Sequence, residues 1–335
     1  VPRIRFSRAR RSLTVLLVAT ALVLGAGVGP AAAEPGEGGT KQLREALDAA
    51  ARGHIEAKAK LDNSKRRQTA LSAQLRTVEG RLGELTAQVG EVAAQSYRLG
   101  RMTPTAMLLK SSDPESLLQR AAVLDVMAQR DSARLRSLSE TRQAAVKAKA
   151  AIDVEVGEQQ KQLAVLARKK KDAERALATV SSGVSTGFSG GSRSASPAPR
   201  NSDGSWPSES CSINDPTTDS CITPRTLHAL QQAQAAGYKR YVSCHRNGGD
   251  GEHPKGRACD FAAATGGFED RSATGGDKAY GDSLASWFKN NAGRLGVMYV
   301  IWYRQIWMPN TGWRSYSGGG SPAADHTNHV HVSIY

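Results

Sequence analysis

Residues 71–92 read LSAQLRTVEGRLGELTAQVGEV, and their apolar positions decide how the first half of the chain is built. Leu71, Leu75, Val78, Leu82, Leu85, Val89 and Val92 recur at alternating spacings of four and three. That 3.5-residue period is the seam of a coiled coil. Backwards, the same register passes Ala57 and Leu61 toward Leu47 and Leu43. A second arm carries Leu135, Leu138, Ala145, Ile152, Val156, Leu163, Leu166, Ala173, Leu177 and Val180, with Arg142, Lys149, Gln159 and Lys170 interrupting its seam. Neither arm contains proline, and at about 1.5 Å per residue the first would extend roughly 85 Å. Between them LGRMTPTAMLLKSSDPESLL (99–118) breaks the pattern with Pro104 and Pro114. The expectation for residues 41–181 is therefore a long antiparallel helical hairpin with its tip at 99–118, a coiled-coil dimer being the other arrangement. Met107, Leu108, Leu109, Leu117 and Leu118 either close the tip or form a docking surface.

Outward from the coil, residues 1–33 combine a basic start, an apolar run from Leu13 to Val28 and the small residues Ala31, Ala32 and Ala33. This is the pattern of a secretory signal peptide, with a retained membrane anchor as the alternative. Residues 34–40 form a short spacer. On the other side, SSGVSTGFSGGSRSASPAPRNSDG (182–205) is rich in Gly, Ser and Pro and reads as a flexible linker. It marks off residues 206–335, a stretch long enough for one core.

That last stretch holds all five Trp and six of the seven His. It also holds all four Cys, at 211, 221, 244 and 259. An even number of cysteines in an exported domain points to disulfides, and the pairs Cys211–Cys221 and Cys244–Cys259 each bracket a short loop. The chain's net charge of +14 is concentrated elsewhere: residues 41–181 carry +9 and residues 206–335 only +1. A nucleic-acid enzyme places its positive field beside its site, so nucleic acid is not the expected partner. The basic coil is either a solvated helix surface or one drawn to anionic lipids or wall polyanions.

Chemistry concentrates in two segments, EHPKGRACD (252–260) and DHTNHVHVS (325–333). His329 and His331 are two apart, so on a strand they share a face while Val330, Val332 and Ile334 point into a core. His253 and Asp260 can approach through a turn at Pro254 and Gly256. A His, an Asp and a second His close three corners of a tetrahedral zinc site and leave the fourth open, as a catalytic zinc requires. Arg246 is the candidate for holding a substrate carboxylate. Residues 223–237 and 281–293 read as amphipathic helices, and Met298–Trp307 as one or two buried strands.

The pattern H-x-x-G-x-A-x-D at 253–260, with His326, His329 and His331 as H-x-x-H-x-H, resembles the superfamily of lysostaphin-type endopeptidases, D-Ala-D-Ala metallopeptidases and the hedgehog domain. Gly251 stands where the D-Ala-D-Ala branch has Ser, and the Glu base of some members is replaced by His326. The resemblance implies His253, Asp260 and His331 as zinc ligands, His329 as the group that orients or deprotonates the attacking water, and His326 as a partner in that proton work. The coil and its LLKSSDPESLLQRAAVLDVM tip resemble the coiled-coil regions of cell-wall hydrolase regulators tied to the division ABC transporter FtsEX, which implies a membrane partner gripping the hairpin.

Together these readings predict a small α+β zinc domain, an antiparallel sheet with flanking helices, behind a helical hairpin in a protein of the cell envelope. Its expected function is a peptidoglycan metallopeptidase, an endopeptidase or D,D-carboxypeptidase positioned or regulated by its coil. The alternatives are a non-catalytic wall-binding or hydrolase-regulating protein of the same fold, and a structural coiled-coil spacer.

Overall fold

The computed structural model describes residues 39–99, 106, 114–180, 183–249 and 251–335. Residues 1–38, expected to be signal peptide and spacer, and most of the expected tip at 99–118 lie outside the described residues. Two long helices, α1 (Lys41–Leu99) and α2 (Pro114–Leu177), pack against each other. Cross-helix pairs run in opposite senses, from Lys149–Glu79 at 3.0 Å near the tip to Ser64 and Arg67 on Glu155 further down, so the hairpin is antiparallel. No described helix is long and apolar enough to cross a membrane.

The seam of α1 follows the heptad reading, with Leu71, Leu75, Val78, Leu82, Leu85, Val89 and Val92 half-buried between exposed neighbours. On α2 the expected seam holds in part: Leu138, Ala145, Ile152, Leu166, Ala173 and Leu177 face inward, whereas Leu135, Val156 and Leu163 are exposed. The inward positions there include Thr141, Ala145 and Ala148, and then a polar stretch. Gln159 bonds Gln68 across the seam at 2.9 Å, and Glu155 takes a bidentate pair from Arg67 at 2.7 and 2.8 Å. Arg67 and Ser64 hold the Glu155 carboxyl below its ordinary pKa. Hydrogen bonds of this kind fix register where apolar volume is lacking.

The C-terminal half is a six-stranded antiparallel sheet with flanking helices. Its strands are β3 (Val242–Ser243), β4 (Ala258–Ala262), β5 (Val297–Trp302), β6 (Gln305–Met308), β7 (Gly312–Ser315) and β8 (His329–Ile334), in the order β3-β4-β8-β5-β6-β7. A separate ribbon pairs β1 (Ile213–Asn214) with β2 (Cys221–Ile222). The helices are α3 (Pro224–Ala235), α4 (Gly275–Asn290) and the single turn α5 (Ala292–Leu295). Helix α3 opens as its sequence dictates, with Pro224 in its first turn and the Thr223 hydroxyl accepting from the Thr226 N–H at 3.2 Å. Helix α4 begins six residues ahead of the expected 281.

Alternation along the strands gives the sheet two unlike faces. Cys259, Phe261, Val300, Trp302, Val330, Val332 and Ile334 point to α3 and α4 and make the main core with Leu230, Leu284 and Trp287. The opposite face carries Asp260, His329 and His331, then Tyr299, Ile301, Ile306 and Met308. This second face is covered by the base of the coil: Leu43, Leu47, Ala50 and Ala51 of α1 with Ala173 and Leu177 of α2. Polar contacts ring that interface, among them Asn310 to the Lys169 carbonyl at 3.1 Å and the Tyr335 hydroxyl to Glu56 at 2.8 Å.

The segment expected to be a flexible linker is laid along the domain instead. Ala195 N–H donates to Asn291 at 2.7 Å, Ser196 to Gln232 at 2.7 Å and Ala198 to the Arg294 carbonyl at 2.8 Å. Phe188 meets Trp313 edge-on. Glycine here serves close packing, since a Cβ on Gly191 would fall within 2.5 Å of Trp287. Composition flagged these residues as linker because Gly and Ser serve a strap pressed onto aromatics as well as a free tether.

Both disulfides join the pairs that bracket short loops, Cys211–Cys221 and Cys244–Cys259. They are compatible with a protein that works outside the cytoplasm. Replacing Cys244 and Cys259 together by Ala should cost about 3 kcal/mol, the chain-entropy value for a loop of this length. Chemical denaturation of the oxidised chain beside the variant checks this, and a loss below about 1 kcal/mol would contradict it.

Candidate metal centre

Register builds the centre. Asp260 on β4 lies opposite His331 on β8, and His331 opposite Ile301 on β5, so the three side chains form one row across the sheet. His253 reaches that row from a short 3-10 turn, His253–Lys255, closed by Gly256 at φ 66°. A Cβ on Gly256 would stand 2.6 Å from the Cys211 sulfur and 2.8 Å from the Cys221 carbonyl oxygen, so only glycine fits. The Cys244–Cys259 bridge holds the Cys244 carbonyl where it accepts from His253 Nδ1.

His253 Nε2 lies 3.2 Å from Asp260 Oδ2 and 3.2 Å from His331 Nδ1, and His331 Nδ1 lies 2.9 Å from Asp260 Oδ1. Bonds of roughly 2.0–2.1 Å to a tetrahedral zinc separate its ligand atoms by about 3.3 Å. The donor set fits chemically as well. A carbonyl can only accept, so the His253 proton sits on Nδ1 and Nε2 turns a lone pair inward. His331 presents Nδ1, with Nε2 bonded to the Ser333 hydroxyl at 2.8 Å. These outer bonds orient both rings as outer partners of metal-ligating histidines do. Burial alone would raise the Asp260 carboxyl, but the adjoining His253 and His329 rings hold it well below the usual carboxylate range. All three residues are no more than 2% exposed.

Two further imidazoles adjoin this cluster. His329 donates from Nδ1 to Asn328 Oδ1 at 2.7 Å, leaving Nε2 buried without a hydrogen bond, 3.7 Å from Asp260 Oδ1. Burial pushes its pKa down to about 4. His326 is held at φ 53° with Nδ1 on the Ala324 carbonyl, and its Nε2 is likewise buried and unbonded. Burial, with His329 and His331 nearby, puts its pKa well below the ordinary histidine value. The β5–β6 turn braces it, Tyr303 N–H donating to the His326 carbonyl at 2.8 Å and Arg304 pairing with Asp325 at 2.9 Å. Arg246 places Nη1 3.6 Å from Asp260 Oδ2. All six site residues named from the sequence therefore fall within one neighbourhood.

Sequence reasoning passed over several neighbours. Glu252, fully buried beside His253, pairs with Arg52 of α1 at 2.6 Å and with Lys255 at 2.7 Å. Burial and the nearby Asp48 raise its pKa. Tyr299 stacks on the His331 ring at 15°. Leu43 and Leu47 close over that side, leaving a cavity of about 10 Å³ beside His331, room for about one water. Asn328 and Ser333 had a usable signal, each being a hydrogen-bonding residue one or two positions from a candidate histidine. The coil contacts had none.

Residues 218–327 match the family described as VldE, C-terminal domain. The match spans about a third of the chain. It takes in His253, Asp260 and His326 but ends before His329 and His331. No curated protein matches the chain.

Substituting Asp260→Asn or His331→Ala should abolish stoichiometric zinc uptake, measured by elemental analysis after dialysis against buffered zinc. Asn328→Ala should leave the zinc content at one per chain, since the Asn328 side chain bonds His329 and the Glu269 carbonyl and none of the three candidate ligands.

Proposed function

We propose that this protein is an exported zinc metallopeptidase of the cell envelope that cuts peptide bonds of peptidoglycan, and that the base of its coil holds it closed. The observation that carries this reading is the convergence of His253 Nε2, the Asp260 carboxylate and His331 Nδ1, with the unbonded Nε2 of His329 beside them. Imidazole and carboxylate donors together suit zinc better than magnesium or calcium. A bound zinc ion would supply Lewis acidity at the scissile carbonyl and lower the pKa of the attacking water. His329, its Nδ1 proton fixed on Asn328, accepts the proton of that water at Nε2 and returns it to the departing amine. His326 packs against His329 with ring centroids 4.7 Å apart and backs that exchange. Arg246 is the group for a substrate carboxylate, as in the free end of a stem peptide.

A polymer cannot enter a cavity of about 10 Å³, so turnover in this reading requires the coil base to lift from the sheet. A membrane protein gripping the hairpin tip, of the division ABC transporter kind, would be the agent. The same closure favours a second reading, in which the domain binds wall peptide or regulates another hydrolase without cutting.

The test compares zinc-loaded full-length chain with a Leu43→Asp/Leu47→Asp variant and with His331→Ala on purified peptidoglycan. New amine ends should form at least tenfold faster with the opened variant than with the native chain, and not at all with His331→Ala. Zinc binding without cleavage by the opened variant would favour the second reading. Arg52→Ala, which removes one pairing at the interface and no core residue, should show a smaller rise in the same direction.

A further inference from the structure

Beyond the metal centre, a crevice of about 310 Å³ opens where α1 meets the domain. That volume lies within the range of small-molecule sites, roughly 300–1,000 Å³. One wall is a face of α1 carrying His54 and Lys58; the other carries Arg200, Trp206, Lys289 and Trp307.

Its charge is predominantly positive. Asp62, also in the lining, pairs with Lys58 at 3.1 Å and reaches Arg200 only through its field, while neither Arg200 nor Lys289 forms a salt bridge among the described residues. By contrast, Arg52, Arg225, Arg240, Arg304 and Arg314 each meet an acidic group. Arg200 is also held in place: its guanidinium stacks 3.5 Å above Trp206 and donates to the carbonyls of Gly204 and Gly293 at 2.9 and 2.8 Å. Two of its five N–H groups are used, and three remain for an incoming acceptor. Facing it, His54 keeps a buried Nδ1 with no hydrogen bond, an uncommon state for a buried polar atom. Trp307 supplies an apolar surface of the kind that meets a sugar ring.

We propose that this crevice binds a small sugar acid or sugar phosphate, and that the bound ligand fastens the coil base to the domain. Two fixed or free cations select the anionic group, Trp307 takes the body, and His54 meets a hydroxyl. Because its walls belong to both parts, the complete site exists only while the coil is seated. Ligand and closure are therefore linked, each stabilising the other. The consequence for turnover rests on the peptidase reading, whereas the binding itself does not.

The test titrates the metal-free full-length chain with glucuronic acid and glucose 6-phosphate, beside glucose and inorganic phosphate, by calorimetry and tryptophan fluorescence. At least one charged sugar should bind saturably and at least tenfold tighter than either control, and comparing the two separates carboxylate from phosphate. Lys289→Glu on the domain and Lys58→Glu on the coil, both exposed and outside the cores, should each weaken it tenfold or more. Saturating ligand should slow amide exchange across residues 41–62. No saturable binding by either charged sugar overturns the proposal. Phosphate binding as tightly as glucose 6-phosphate overturns the sugar assignment, and binding indifferent to Lys58→Glu overturns the bridge to the coil. None of these readouts uses metal or turnover, so a failure here is distinct from a failure of the peptidase reading.

Discussion

The antiparallel pairing of β4 with β8 is the constraint on which the metal centre depends. With Asp260 opposite His331 and Ala262 opposite His329, the polar groups share one face while Cys259, Phe261, Val330 and Val332 share the other. A one-residue slip would turn the histidines into the core and the valines toward the site. The pairing is therefore specified by the apolar side chains that must meet α3 and α4, while the Cys244–Cys259 bridge ties the other edge of β4 to the end of β3. His253 depends on it in turn, since the carbonyl fixing its tautomer belongs to Cys244.

A single sheet with helices on one side leaves its other face to be covered. In this protein half of that face is polar and carries the candidate ligands, and half is apolar, with Met298, Tyr299, Ile301, Ile306 and Met308. An exposed apolar surface of that extent marks an interaction site, and the coil base occupies it. The same contact that completes the fold also closes the route to His331, so stability and access are opposed at one interface. The polar ring of Arg52–Glu252 and Tyr335–Glu56 fixes where the helix sits. The exposed Tyr335–Glu56 contact adds little energy on its own, whereas Glu252 is fully buried and Arg52 compensates its charge.

How far the sequence reached depended on how local each signal was. The heptads of α1 could be read because every seam position recurs within four residues, and both disulfides because each closes a short loop. His253, Asp260 and His331 could be picked out because a metal site demands donor residues of particular types, and the fold brings these three together. Where a position is settled by distant partners, the local pattern failed. Leu135 and Leu163 looked like seam residues, yet they are turned outward, and the polar Glu155 instead faces Ser64 and Arg67 across the hairpin. Gly187 and Gly191 looked like linker, yet each presses against a tryptophan far along the chain. The docking of Leu43 and Leu47 beside Tyr299 joins segments some 250 residues apart, and no periodicity records such a contact.

Magnitudes decide what lifting the coil would require. Leu43, Leu47 and Leu177 are each under 7% exposed at this interface, and exposing a leucine costs roughly 1.5–3 kcal/mol. The three alone set a cost of about 6 kcal/mol, before the alanines and the sheet side chains are added. At about 1.4 kcal/mol per factor of ten, the open form would be populated at no more than about one molecule in ten thousand. Spontaneous opening at that level gives almost no turnover. A ligand that merely binds both states equally would not change it. In the peptidase reading, release must come from an agent that binds the open coil better or pulls on it, and the hairpin is suited to transmit such a pull. Its base holds the lock, and its two helices run unbroken by proline from that base toward the tip.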